Sequence, residues 1–265
     1  MKLSCQEGLA PGTTFAEKLE KLRAYGFDGV ELNGARLLDN AGLAERRAAL
    51  ADSPVKASSI CGGFACELVH PQPARRRQCA DAIKRLIDIA SELGATGPIA
   101  VPIFNNNDRL PDLSPLKSRA ELEADLLVSV LTEIAAHAAE TSACLLLEPL
   151  NRYESNALKN IEAAATICER VGSDRIRVIP DFFHMNIEQT DVPGSLKKIA
   201  KRVGHIHLAD NTRLEPGTGS IDFRAGFAAL KEIGYQGYMA LECGLSGPAD
   251  DVLPRSVAYL RECIG

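Results

Sequence analysis

The chain has 265 residues, of which 46% are apolar and 25% are charged, the balance of an ordinary soluble globular protein. A net charge of −5, with 30 basic residues interspersed among 35 acidic ones, argues against a nucleic-acid partner. The start, MKLSCQEGL, lacks the apolar segment of a signal peptide, and no stretch of about 18 uncharged apolar residues predicts a membrane span. Eight cysteines without a C-x-x-C pair favour reduced thiols, and we expect a cytoplasmic protein.

Short β-like runs alternate along the chain with longer amphipathic runs. In order, the β-like runs are KLSCQ, GVELNG, VKASSI, PIAVPIF, ACLLLEP, IRVIPD, GHIHLAD and GYMALEC. Between them, apolar residues three and four apart predict helices with one buried stripe, as in FAEKLEKLRAYG, RRRQCADAIKRLIDIASELG, SRAELEADLLVSVLTEIAAHAAE and FRAGFAALKEIG. The last unit closes with SVAYLREC. Glycines follow several of these stretches, where a helix commonly ends: Gly26, Gly94, Gly172 and Gly234.

This alternation predicts the fold. A strict βα order implies parallel strands, and eight such units in 265 residues predict a (β/α)₈ TIM barrel in a single domain over residues 1–265. The alternative is a doubly wound open sheet. That fold usually carries a glycine-rich turn after its first strand, and Gln6-Glu7-Gly8 matches it poorly.

The predicted strands five to eight each end in a residue that can bind a metal. Glu148 follows LLL, Asp181 follows RVIP, His207 lies in HIHLAD and Glu242 follows MAL. Chemistry in such a barrel collects at the carboxyl ends of the strands, and three carboxylates facing one point repel unless protons or a cation are present. The set of three oxygens and one nitrogen suits a divalent metal, with Mn²⁺ first and Mg²⁺, Co²⁺ or Zn²⁺ as alternatives.

A single glutamate at a strand end is more often a helix cap or an ion-pair partner, so the metal prediction depends on four suitable residues at four consecutive ends. His205 shares the face of His207 but lies deeper, and we interpret it as filling of the barrel or support for the site. GTGSID is interpreted as a tight turn with Asp222 near a helix start, because it lacks the lysine of a phosphate-binding loop.

Further polar residues follow the same strand ends. Glu154 lies six residues after Glu148, His184 three after Asp181, and Arg213 six after His207. Each is placed in a loop that reaches the rim of the predicted site. Taken alone, Arg213 is equally compatible with a solvated surface charge and Glu154 with a helix cap.

The segments EPLNRYE, DFFHMN, HIHLADNTRLEPGTGSIDF and LEC resemble the sugar phosphate isomerase/epimerase superfamily with the xylose isomerase-like TIM barrel. Within it the chain is most similar to the ketose 3-epimerases (D-tagatose and D-psicose epimerases) and to the 3-dehydro-guloside 4-epimerase-like enzymes. The resemblance extends over most of the chain and is densest from 145 to 243. It implies one Mn²⁺ or Mg²⁺ on Glu148, Asp181, His207 and Glu242, an acid/base pair of Glu148 and Glu242, and substrate oxygens held by Glu154, His184 and Arg213.

The resemblance therefore predicts a metal-dependent isomerase. We expect an epimerase of a keto sugar that removes the proton next to the carbonyl and passes through an enediolate stabilised by the metal. An aldose–ketose isomerase and a 3-keto-glycoside lyase use the same groups and stay open as alternatives. We also expect a homo-oligomer, either a dimer or a tetramer.

The predicted substrate is a neutral keto sugar, since Arg213 is the only basic residue placed for a phosphate group. The chain has no tryptophan, and Gln6-Glu7-Gly8, Asn33-Gly34 and NNND at 105–108 are polar, which leaves room for an oxidised glycoside. Two other classes are weighed against this function. An abasic-site endonuclease needs many histidines for its zinc cluster, and the chain has five. A non-catalytic barrel that binds sugar or metal needs the ligands but not two flanking glutamates.

Overall fold

The computed structural model describes residues 1–63, 67–104 and 110–265. In these ranges strands and helices alternate along the chain. The strands are β1 Lys2–Gln6, β2 Gly29–Asn33, β3 Lys56–Cys61, β4 Ile99–Ala100, β5 Leu145–Leu147, β6 Ile176–Val178, β7 Ile206–Leu208 and β8 Tyr238–Leu241. The helices are α1 Phe15–Tyr25, α2 Gly34–Leu38, α3 Asn40–Ala51, α4 Pro73–Leu93, α5 Arg119–Ala138, α6 Ile161–Val171, α7 Phe182–Glu188, α8 Val192–Lys198, α9 Phe223–Glu232 and α10 Ala249–Ile264, with a 3₁₀ turn at Ala200–Arg202.

The strands form a closed ring of parallel neighbours. One run has the order β3-β2-β1-β8-β7 and the other the order β4-β5-β6. Backbone bonds cross both gaps: Ile60 N donates to Gly97 O over 3.0 Å between β3 and β4, and Gly204 N donates to Val178 O over 2.9 Å between β6 and β7. This arrangement confirms the predicted (β/α)₈ TIM barrel and places every strand's carboxyl end on the same rim.

The helices begin and end where the sequence indicates. Thr14 caps α1 and Ser118 caps α5, each in a capping box with the glutamate three residues later. Gly26, Gly94 and Gly172 end α1, α4 and α6 in the left-handed conformation that glycine adopts without steric cost. Asp222 caps α9 through a bond from Ala225 N, which confirms the structural interpretation of GTGSID.

The differences from the sequence-based elements are local. β4 is two residues long although PIAVPIF predicts a longer strand, and two pairs of helices, α2 with α3 and α7 with α8, follow β2 and β6 where the alternation predicts one helical run each. NNND at 105–108 lies outside the described residues. Among the cysteines that the structure describes, six are free thiols, as expected, but the expectation is wrong for Cys79, which is disulfide-bonded. Among the helices of the described ranges, none has the length and apolarity needed to cross a bilayer.

Candidate active site

The four predicted ligands meet at the carboxyl end of the barrel. Glu148 directly follows β5, Asp181 lies after β6 and immediately precedes α7, His207 lies within β7 and Glu242 directly follows β8. One oxygen or nitrogen atom from each residue lies within 4.8 Å of one from every other. The structure therefore brings together, on four successive strands, the set of three carboxylates and one imidazole expected from the sequence.

Backbone bonds between neighbouring strands hold these side chains in place. Glu148 N donates to Ala100 O of β4 over 3.0 Å, and Glu242 N donates to Leu208 O of β7 over 3.1 Å. The Asp181 carboxylate has two roles. Its Oδ1 accepts from Phe183 N at 2.7 Å as the cap of α7, a contact that the sequence analysis did not predict, while Oδ2 faces the cluster.

His207 lies at the centre of the cluster and is fully buried. Its Nδ1 is 2.9 Å from Glu148 Oε1 and 3.1 Å from Glu242 Oε2. Burial alone would lower the pKa of the imidazole, but the negative charges of Glu242, Glu31 and Glu148 raise the pKa of His207 well above its ordinary value. The two glutamates thus flank a single ring nitrogen.

The two glutamates have different electrostatic surroundings. Burial raises the pKa of Glu148 above its ordinary value, and the charge of Glu242 adds to this rise. Burial would also raise the pKa of Glu242, but the charges of His207 and Arg213 outweigh it and lower the pKa of Glu242 to about 2. Environments that push the pKa values of two neighbouring carboxyl groups apart are typical of acid/base pairs.

Arg213 reaches over the cluster from the loop that follows β7. Its Nη1 donates to Asp181 Oδ2 at 2.7 Å, its Nη2 donates to Glu242 Oε2 at 2.6 Å, and its guanidinium lies 4.6 Å from the ring centre of Phe183. The residue has a φ of 57°, which is uncommon for a side chain other than glycine. The guanidinium therefore neutralises carboxylates that would otherwise repel each other.

His184 and Glu154 lie at the cavity beside these ligands. Asn151 Nδ2 lies 2.8 Å from both His184 Nδ1 and Glu154 Oε1. Asn151 N also donates to His184 Nδ1, so this nitrogen is an acceptor and the ring proton belongs on Nε2. His184 is thus set to donate a hydrogen bond into the site.

A cavity of about 270 Å³ opens above the cluster. Glu148, Glu154, His184, Arg213 and Glu242 line it together with mostly apolar side chains, among them Leu68, Val101, Phe104 and Leu150. Concave sites with an apolar wall and a few convergent polar groups are typical of small-molecule binding. The three residues expected at the rim, Glu154, His184 and Arg213, all lie at this cavity.

Residues 19–263 match the family model of the xylose isomerase-like TIM barrel. The chain belongs to this family. It is 31% identical over 269 residues to the 3-dehydro-D-guloside 4-epimerase of Escherichia coli (strain K12), and the matched residues cover 99% of this chain and 100% of the relative. It is 30% identical over 248 residues to the D-psicose 3-epimerase of Enterocloster bolteae, which covers 86% of this chain and 76% of the relative.

Two solved structures agree with these likenesses. The 3-keto-D-glucoside 4-epimerase from E. coli superposes with a TM-score of 0.90 at 29% identity, over 99% of this chain and 100% of that one. The D-psicose 3-epimerase from Clostridium cellulolyticum shares the fold with a TM-score of 0.86 at 19% identity, over 100% and 99%. The relatives named here are sugar epimerases, as the sequence motifs indicated.

Sequence reasoning missed several residues of this xylose isomerase-like site. Glu31 of β2 is buried and faces His207, Gln6 of β1 donates to both Glu31 and Glu242, and the Cys61 thiol lies 3.5 Å from Glu242 Oε1. Burial alone would raise the pKa of Glu31, but the charge of His207 and the hydrogen bonds of both neighbouring histidines lower it well below its ordinary value. The available signal was a glutamate within the otherwise apolar GVEL.

Proposed function

We propose that this protein is a divalent-metal-dependent epimerase of a neutral keto sugar, acting at the carbon next to the carbonyl. The observation that carries the proposal is the pair Glu148 and Glu242 on either side of His207 Nδ1, at 2.9 and 3.1 Å, beneath an open cavity. The full-length likeness to the 3-dehydro-D-guloside 4-epimerase supports the reaction class.

The donor set fits a divalent cation. Three carboxylates crowd into a mostly buried space in which the Arg213 guanidinium contacts two of them, and carboxylate oxygens with one imidazole suit Mn²⁺. Glu148, Asp181, His207 and Glu242 would hold the ion. When bound, such a cation would act as a Lewis acid toward the carbonyl and the adjacent hydroxyl oxygen of the sugar.

The two glutamates move the protons. One carboxylate takes the proton from the carbon next to the carbonyl, so that this C–H bond breaks and its electrons enter the carbonyl system. The other, as a carboxylic acid, gives a proton to the opposite face of the same carbon, which inverts the centre. His184 Nε2–H, Glu154 and Arg213 orient the hydroxyl groups of the sugar from the rim.

The cavity favours an uncharged sugar. Among the lining residues that the structure describes, Arg213 is the only lysine or arginine, and Asp181 and Glu242 already engage it. A phosphate group is usually met by several donors or by a helix N-terminus. We therefore infer an uncharged keto sugar. The full-length likeness to the 3-dehydro-D-guloside 4-epimerase favours a 3-keto glycoside as the first substrate class, with a free ketose as the second.

The proposal is tested by offering metal-loaded protein 3-keto glycosides, free ketoses and sugar phosphates, with products identified by NMR. We expect about one equivalent of Mn²⁺ per chain and inversion next to the carbonyl of a 3-keto glycoside, both lost after chelation. Conversion of a ketose to an aldose would indicate an isomerase, and release of an aglycone a lyase. A fully active metal-free protein would refute the proposal.

We further propose that the protein works in the cytoplasm as a homo-oligomer, a dimer or a tetramer. Large apolar side chains are exposed in the described ranges, including Leu116 at 90% and Tyr153 at 75%. Large exposed apolar side chains often mark the surfaces through which proteins associate, so their exposure supports contact with a second copy. Light scattering coupled to gel filtration measures the mass, and a monomer at micromolar concentration would contradict the oligomer.

A further inference from the structure

Glu31 is a carboxylate buried in the barrel interior below the candidate metal ligands, with 1% of its surface exposed. Its two oxygens each lie 3.1 Å from His207 Nε2. Ser59 Oγ donates to it at 2.6 Å, Gln6 Nε2 at 3.1 Å, and His205 Nε2 lies 3.3 Å away. A buried charge is costly unless it is paired and hydrogen-bonded, and these contacts are the ones that stabilise the Glu31 carboxylate in the interior.

The imidazole of His207 is contacted from both sides. Nδ1 faces Glu148 and Glu242, while Nε2 faces the centre of the Glu31 carboxylate. A nitrogen that binds a cation must offer its lone pair, so the remaining ring proton lies on the other nitrogen. For a cation at the four ligands, that proton is on Nε2 and points at Glu31.

We propose that Glu31 is a positioning residue that accepts the Nε2–H of His207 and so fixes the tautomer and ring orientation with Nδ1 toward the metal. The inference rests on the proposed metal-dependent function. Ligating histidines are commonly oriented by a carboxylate on their other nitrogen, and loss of that partner lowers metal affinity by about 10- to 100-fold. Gln6 extends the same support, because its Nε2 lies 3.1 Å from Glu31 Oε1 and 3.1 Å from Glu242 Oε1.

The barrel itself is arranged to hold Glu31. The register between β2 and β3 shifts after Val30, which pairs with Ala57. Glu31 then pairs with Ser59, and Ser58 has no partner residue on β2. Such a bulge re-aims a side chain. The hydroxyl of Ser59 then lies between Glu31 and His205, and Ser58 continues the chain of hydroxyls to Ser4. This polar network replaces the branched apolar residues that usually fill a barrel interior.

The test compares Glu31→Gln with Glu7→Gln. Glu7 is a matched control because it is also buried near the carboxyl end of its strand, but it pairs with Arg46 and not with a ligand. Calorimetric titration of the chelated proteins with Mn²⁺ should show affinity reduced by at least tenfold in Glu31→Gln and by less than threefold in Glu7→Gln. Ser59→Ala, which removes one bond to Glu31, is the milder variant if Glu31→Gln does not fold, and it should weaken Mn²⁺ by about threefold or more on the same reasoning.

A second readout reports on the tautomer directly. In ¹⁵N-histidine-labelled protein loaded with Mg²⁺, His207 should carry its proton on Nε2, and this resonance should broaden or shift in Glu31→Gln but not in Glu7→Gln. The inference would be overturned if the Mn²⁺ affinity of Glu31→Gln were within threefold of wild type and the His207 resonance were unchanged. Because the wild-type protein would still bind Mn²⁺, the proposed function would stay intact. Wild-type protein without affinity for Mn²⁺ would refute the proposed function, and the inference with it.

Discussion

Removal of the Arg213 guanidinium should lower kcat/KM without weakening metal binding. In the structure this group donates to Asp181 Oδ2 at 2.7 Å and to Glu242 Oε2 at 2.6 Å, with its side chain 32% exposed. Hydrogen bonds to charged groups contribute about 1.5–3 kcal/mol each, and solvent screening at this exposure reduces the pair to about 2–3 kcal/mol in total. Arg213→Ala should therefore lower the unfolding temperature of the chelated protein by about 5 °C.

Added Mn²⁺ should reverse most of this loss, because the cation neutralises the same two carboxylates that Arg213 engages. We expect Arg213→Ala to bind Mn²⁺ at least as tightly as wild type, yet with kcat/KM lower by about 100-fold, since a lost charged contact to the sugar is worth about 3 kcal/mol. Arg47→Ala is the control, because the Arg47–Glu92 pair is exposed and joins the helices α3 and α4 without contacting a ligand. Tenfold weaker Mn²⁺ binding, or an unshifted unfolding temperature in the chelated protein, would refute this reasoning.

Four further variants test the roles of other residues. Glu148→Gln and Glu242→Gln should each reduce kcat by more than about 100-fold, since an amide cannot exchange the proton; turnover within tenfold of wild type, at equal metal content, would exclude that glutamate as an acid or base. His184→Ala should raise KM and lower kcat/KM by about tenfold through loss of one donor to the sugar, with Mn²⁺ affinity unchanged in calorimetry; unaltered kinetics would return His184 to a structural role. Gly97→Ala should destabilise the barrel by about 1–3 kcal/mol in urea unfolding, because a side-chain carbon there would collide with Cys144 O; wild-type stability would show that β4 can shift.

The sequence predicts the part of the site that follows from strand alternation. Once eight βα units are recognised, the residues near the carboxyl end of each strand can be identified, and Glu148 and Glu242 directly follow β5 and β8, while Asp181 lies three residues after β6. Parallel strands bring those ends to one rim without any knowledge of side-chain packing. The positions of these ligands can therefore be predicted from the alternation of strands and helices, which is visible in a single sequence.

Glu31 and Gln6 could not be predicted in the same way. Glu31 lies inside β2, and whether its side chain points into the barrel depends on the strand's register and on the bulge opposite Ser59. Register is a property of strand pairing, which the sequence of one strand does not specify. Gln6 at the end of β1 was noticed only as a polar residue, and its contact with Glu242 depends on ring closure between β1 and β8.

Solvent deuterium exchange tests the central claim, that the two glutamates transfer a proton at the carbon next to a carbonyl. Metal-loaded protein is incubated in D₂O with a 3-keto glycoside or a free ketose and followed by NMR. We predict an inverted product with deuterium at the inverted carbon, no exchange in Glu148→Gln or Glu242→Gln, and none after chelation. An inverted product that keeps its original hydrogen, or no exchange with any keto sugar of either class, would contradict it.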